Sequence, residues 1–506
     1  MNNYSTFKMM KIVHLDMKGA PMKVDYLEKV FQVIKSWGVT GVLLEWEDTF
    51  PYTGELDEIG SVKNAGGDNL YSLAEVKHLL ACIKELGMEA IQLVQTFGHM
   101  EFVLKHPAFR ELREIEQAPA VMCPTKLKSL QLVMAMVDQA LEVQPDATFF
   151  HIGADEVWHA GICEDCQAKL GEDKMTKAKL YLEHIKRVVL HVKSRMPNIS
   201  VLMWDDMLRP MDAETLREYA IGDLAIPVIW HYSTMECFGL TKEMFNIYTQ
   251  LFPKVFVGTA FKGANGSCQV LSPAARYVSN HEAWLSHMKE NERVNFIGVI
   301  LTGWSRYDHY ATLCELLPVA LPSLASCLKV LHRDNDGIPM VSLFRVSGCR
   351  RFTRRRICRA RPISLAGTDL DPGSYAKHAL CEDILPSHEW PGEEVARSIH
   401  SFVILRERAI GLLTSEMVRT WLNPWQIARR YTVPVHVEGI RVTAHHILGE
   451  LIVLKADLTN SLLRMTGERS TDEWIHSYIE PLITKVTRLC RIADERVVCE
   501  AGVKPL

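Results

Sequence analysis

No stretch of this 506-residue chain runs about 18 residues without a charge breaking it, so no segment qualifies as an obvious membrane span. Neither charge sign is in excess: 57 Lys and Arg against 61 Asp and Glu leave a net charge of −4, which gives nucleic acid no purchase. The opening MNNYSTFKMMKIVHLDMKG lacks the apolar core of a secretory signal, so the expectation is a non-secreted, cytoplasmic protein. No Gly-x-Gly-x-x-Gly follows the first apolar run, which counts against a dinucleotide. The 13 cysteines are an odd number and stand singly except for Cys163 and Cys166. That pair suits half a zinc site or a redox disulfide, but no second Cys/His pair lies at finger spacing. Free thiols are therefore expected, with no metal and no cofactor.

What is present is alternation. Eight short runs rich in β-branched and other apolar residues are predicted as strands: Lys11–Asp16, Gly41–Trp46, Glu89–Gln95, Thr148–Gly153, Ser200–Trp204, Ile226–Trp230, Lys254–Ala260 and Phe296–Thr302. Continuous runs such as VLLEW and IGVILTGW suit strands covered on both faces. Helical spacing fills the gaps, for example Tyr26–Trp37, Leu73–Leu86, Leu130–Val143 and Lys177–Ser194. Eight such units predict an α/β fold, a (β/α)8 TIM barrel over residues 8–330. An arginine-rich stretch, Phe344–Arg361, falls in an expected linker or insertion at 331–374 and reads either as a solvated strap or as a nuclear-localisation patch. A C-terminal α-helical region is expected over 375–506, with helices at Glu393–Thr414 and Ala444–Leu463.

Barrel enzymes gather reacting groups at the C-terminal ends of their strands. Here those ends carry Asp16, Glu45-Trp46-Glu47-Asp48, Gln95 with His99, Asp155-Glu156, Trp204-Asp205-Asp206, Trp230, and Trp304 with Arg306, Tyr307 and Asp308. Carboxylates among flat aromatic walls suit a sugar better than a phosphate ester. Within FFHIGADEVW, alternation puts His151, Gly153 and Asp155 on one face, and a break after Gly153 would let Glu156 join them. On the motif alone, a helix-capping Asp-Glu pair explains these acids equally well.

The segment His151-x-Gly-Ala-Asp155-Glu156 resembles the H-x-G-[AG]-D-E signature of glycoside hydrolase family 20, the β-N-acetylhexosaminidases. VHLDMKGAP, EDTFPY, LVQTFGHMEFVLKHPAFRELRE, WDDMLR, AFKGA and LTGWSRYDHYATLCELLP extend the likeness to the family's intracellular branch. The resemblance implies a retaining enzyme that removes terminal β-linked GalNAc or GlcNAc from a glycoconjugate, with the substrate's acetamido oxygen as nucleophile and an oxazolinium intermediate. By position, Asp155 would orient the acetamido group and Glu156 would act as acid and then base. Trp204, Trp230 and Trp304 would wall the pocket, His99 and His151 would sit beside the acids, and Asp16 would bind a sugar hydroxyl. Cytosol and nucleus are the compartments it implies, and a homodimer is left open. The chain departs from the lysosomal branch in having Lys18 where an arginine grips the sugar, and Trp304-Ser-Arg306 in place of Trp-x-Glu. Two rival readings remain: a metal-dependent barrel hydrolase ligating through His151 and Asp155, and a non-catalytic carbohydrate-binding barrel.

Overall fold

The computed structural model describes residues 9–60, 70–172, 174–336 and 390–502. The arginine-rich stretch and the expected linker from residue 337 onward lie outside them. The chain divides into two compact units, Met1–Ser347 and Gly348–Leu506.

In the first unit eight parallel strands close into a barrel. They are β1 (Met10–Asp16), β2 (Gly41–Glu45), β3 (Glu89–Leu93), β4 (Phe149–His151), β5 (Ser200–Trp204), β6 (Ile226–Trp230), β7 (Val255–Lys262) and β8 (Phe296–Gly303). The predicted TIM barrel is thus the observed fold. Two strand spans agree at both ends with the sequence reading. At β4 the strand stops at His151 instead of Gly153, because the backbone turns left-handed at Gly153. Closure is made by β1, whose Val13 pairs with Leu301 of β8 on one side and Val42 of β2 on the other.

Inward side chains fill the ring: Ile12, Leu43, Ile91, Leu202, Val228, Phe256 and Ile300 are buried together with Trp204. Each such side chain taken from water contributes roughly 1.5–3 kcal/mol, so the barrel interior is a solid floor under the strand ends. The outer helices turn apolar stripes inward, as in Val24–Ser36, where Tyr26, Leu27, Val30, Phe31 and Ile34 are buried. Helix Leu73–Glu85 starts with a capping box in which Ser72 and Glu75 satisfy each other's backbone N–H groups. The helix Leu317–Asp336 continues past residue 331, where a linker was expected.

The second unit is helical. Glu393–Leu413, Pro434–Leu462 and Glu480–Val497 pack on one another, with Trp474 buried against Phe402 at a ring separation of 5.6 Å. Trp421 stacks on His436 at 4.2 Å and Trp425 meets Tyr431 at 5.3 Å, both inside this unit. Among the described residues no helix is long and apolar enough to cross a membrane.

Candidate active site

The two adjacent acids owe their placement to a strained turn. After β4, Gly153, Ala154 and Glu156 all take positive φ, at 64°, 69° and 51°. A non-glycine residue there costs about 1–2 kcal/mol, so the surroundings must hold it. They do so with hydrogen bonds. Gln95 Oε1 accepts from Ala154 N at 3.2 Å, and Gln95 Nε2 donates to Asp155 Oδ1 at 3.1 Å and to Glu45 Oε1 at 3.3 Å. Tyr181 donates to the Ala154 carbonyl at 2.8 Å, and Asp206 Oδ2 accepts from Glu156 N at 2.9 Å. Asp155 is left buried, while Glu156 keeps its side chain 43% exposed. Alternation alone could not have brought both acids to one side; the left-handed turn does.

His99 joins them. Its own φ is 52°, and its Nε2 lies 3.4 Å from Asp155 Oδ2 and 3.3 Å from Glu156 Oε2. Burial alone would lower the imidazole pKa, but Asp155, with a further hydrogen bond accepted by Glu156, carries it well above the usual 6.5. Burial would likewise raise Asp155, yet His99 and Gln95 bring it below 3.8. The pair therefore stabilises the fold in a window. The His99 share is complete below about 6.5 and fades as pH rises through its raised value; the Asp155 share is present above about 4 and fades as pH falls through its lowered one. Wild type minus His99→Gln, compared by thermal melting from pH 3 to 9, is expected to differ most between those limits. An equal Tm difference at every pH would contradict the ion pair.

Backbone contact packs this turn tightly. A Cβ on Gly98 would overlap the Asp155 carbonyl oxygen, and one on Gly153 would overlap Gln95 Oε1. Gly98→Ala is thus expected to lower stability by about 1–3 kcal/mol and, through displacement of Asp155, to cut turnover by roughly 10²-fold. Gly239→Ala, with open space around it, should be near neutral in the same denaturation and activity assays.

Aromatic rings line the floor. Trp204 is buried and lies 5.8 Å from Trp304, while the partly exposed Trp230 stacks on Tyr232 at 5.1 Å. Tyr232 was missed in the sequence, although its place two residues after Trp230 is a period-two signal; burial raises the pKa of its hydroxyl. His151 sits against Trp204 at 4.5 Å. Burial lowers the His151 pKa to about 3, so the ring is neutral. Its Nδ1 accepts from Gly153 N at 2.9 Å, which assigns the ring proton to Nε2. Neither that Nε2 nor Trp204 Nε1 has a hydrogen-bond partner among the described residues. Asp206 holds Trp230 Nε1 at 3.1 Å and is pushed up to about 7, by burial first and by the Asp155 charge next.

Other expected ligands are engaged by the protein. Asp16 accepts from Lys18 N at 2.9 Å and Ser305 N at 2.8 Å, which uses one oxygen each. Lys18 is buried, its Nζ 3.5 Å from Glu47, 3.6 Å from Asp16 and 3.9 Å from Glu45. Arg306 is buried and donates to Lys18 O at 2.9 Å and Ala311 O at 2.6 Å. These bonds tie the loop after β8 to the end of β1. Asp308 caps the turn at Tyr310 and Ala311, and Tyr307, 44% exposed, accepts from Gly266 N at 2.7 Å. Beside them Glu47, Asp48 and His309 converge, and Lys105, also missed in the sequence, donates to Asp48 Oδ2 at 2.7 Å and His309 Nε2 at 2.8 Å. A cation of the protein thus occupies that cluster. His14 and His151 each turn Nδ1 to a backbone N–H, and among the described residues His151 and Asp155 form no ligand group, which removes the basis of the metal-hydrolase rival.

A family model described as a domain of unknown function (DUF4838) matches residues 77–216. The chain is 36% identical over 497 residues to a Homo sapiens hexosaminidase D, covering 97% of this chain and 96% of that protein. A hexosaminidase D from Bos taurus is 43% identical over 327 residues, covering 64% of this chain and 93% of that protein. Among solved structures, a chitobiase from Flavobacterium johnsoniae superposes with a TM-score of 0.51 at 12% identity, over 97% of this chain and 73% of that one. So remote a likeness bears on the fold alone. With 36% identity sustained over nearly its whole length, the chain belongs to the hexosaminidase D family and is a glycoside hydrolase of the β-N-acetylhexosaminidase class.

Proposed function

We propose that the chain removes terminal β-linked N-acetylhexosamine, GalNAc or GlcNAc, from a glycoconjugate with retention, using the acetamido group of the substrate as nucleophile. The observation that carries this reading is that the adjacent carboxyls bridged by His99 have unequal surroundings, Asp155 buried and Glu156 43% exposed. Asp155, held as an anion by His99 and Gln95, is suited to orient the acetamido N–H and to stabilise the charge that develops as the acetamido oxygen bonds the anomeric carbon. Glu156, at the open side, would protonate the departing glycosidic oxygen. In the second half, Glu156 takes a proton from the incoming water as its oxygen bonds the anomeric carbon, the bond from that carbon to the acetamido oxygen breaks, and the acetamide is restored. The unpartnered N–H groups of His151 and Trp204 would be satisfied by a ligand oxygen. Trp230 and Trp304 offer apolar faces to the sugar and the acetamido methyl.

The test is hydrolysis of paired chromogenic β-GalNAc and β-GlcNAc glycosides, followed by proton NMR of the first-formed anomer. Retained β-anomer, with inhibition by an N-acetylglucosamine-thiazoline, is the expected result. A first-formed α-anomer would overturn retention, and a folded but inert protein would return the site to a sugar-binding role.

A further inference from the structure

We propose that Cys123, Cys163, Cys166 and Glu114 form a structural zinc site that ties together the two loops carrying the acidic centre. One donor atom from each of the four lies within 4.8 Å of the others. Cys163 Sγ is 3.3 Å and Cys166 Sγ 3.5 Å from Cys123 Sγ, and Cys166 Sγ is 2.8 Å from Glu114 Oε1. Bonded sulfurs would be about 2.05 Å apart. Sulfurs around one tetrahedral zinc, each about 2.3 Å from the metal, sit about 3.8 Å apart, and these stand within half an ångström of that.

The ligand chemistry is consistent with the same ion. Three sulfurs exclude magnesium and calcium in favour of zinc or another borderline metal. Binding would release three thiol protons and leave three thiolates and a carboxylate on a divalent ion, the same formal charge as a four-thiolate zinc site. An outer layer is already in place. Glu114 accepts from Gly161 N at 3.0 Å, Ile162 N at 2.9 Å and Cys163 N at 2.8 Å, and Thr125 Oγ1 is 3.0 Å from Cys123 Sγ. Cys123, Cys166 and Glu114 are buried, and Leu170, Met175 and Leu180 pack around the sulfurs.

Chain position shows what the ion would do. Glu114 lies on the first strand of a small antiparallel hairpin, Arg113–Ile115 with Ala118–Met122, and Cys123 follows the second. That hairpin is fixed to the His99 segment by Met100 N to Ala120 O at 3.0 Å and Met122 N to Phe97 O at 3.3 Å. Cys163 and Cys166 lie just downstream of Asp155 and Glu156. The metal would lock the His99 loop to the Asp155-Glu156 loop. Sequence spacing showed only Cys163 and Cys166, since their partners come from a separate loop.

Elemental analysis of the full chain, purified without chelator, is the test, and it is independent of the glycosidase reading. Wild type and Cys237→Ser, an exposed cysteine outside the cluster, should carry about one zinc per chain, and Cys123→Ser and Cys166→Ser close to none. Should those variants not fold, cobalt loading of the wild type decides: thiolate-to-cobalt charge transfer with tetrahedral visible bands is expected. Metal-free wild type that gives no such bands, full zinc in Cys166→Ser, or a disulfide within the trio by mass spectrometry would each overturn the site.

Discussion

Glu156→Gln should lower kcat on an unactivated β-N-acetylhexosaminide by about 10²–10⁴-fold, the usual contribution of a general acid. The amide keeps the size of the carboxyl and can still bond His99, but it has no proton to give to the leaving oxygen. KM should move far less, because Glu156 stands at the open edge of the site and the aromatic floor remains. Leaving-group dependence makes the test specific. A dinitrophenyl glycoside departs without protonation, so the first step should be nearly restored and the deficit should shift to hydrolysis of the intermediate. A uniform loss for good and poor leaving groups would point to a structural part for Glu156.

Asp155→Asn is expected to lose about 10²–10³ in kcat, the scale set by removal of one preorganised electrostatic partner of a developing charge. Affinity for the thiazoline should fall by a similar factor, since that compound resembles the cyclised intermediate. Two further readouts separate this from a local collapse. His99 loses the charge that raises it, so its proton NMR titration should move toward lower pH. Asp206 loses the second-largest of the causes that push it up to about 7 and should titrate at lower pH as well. A variant that loses turnover while still binding the thiazoline as tightly as wild type would contradict the acetamido role.

The barrel was legible because each strand is buried on both faces and therefore reads as a continuous apolar run. VLMW at 201–204 and PVIW at 227–230 fixed β5 and β6 at both ends. The acids at the strand ends were legible for the same reason, as breaks in apolar runs. What the sequence could not show is how hydrogen bonds are shared out. Asp16 and Arg306 have side chains suited to a sugar, and the sequence does not show that they also bond Lys18, Ser305 and Ala311. The same holds for the end of β4: glycine at 153 signals freedom of φ, but not that Ala154 and Glu156 would share its left-handed geometry. Lys105 and His309 lie in loops far apart in sequence, and no local pattern announces that they meet over Asp48.

Ring closure also orders events in time. Asp16 receives the Ser305 amide at 2.8 Å and its carbonyl takes the Ser305 hydroxyl at 2.7 Å, across a sequence separation of 289. At about 5–20 residues per second, a ribosome needs roughly 15–60 s to make that span. Throughout it β1, an apolar strand with an acid and a buried lysine at its end, has no partner on one edge. The nascent chain therefore waits with its first strand half-paired, a state open to chaperones and to aggregation, and the site comes into being only when β8 arrives.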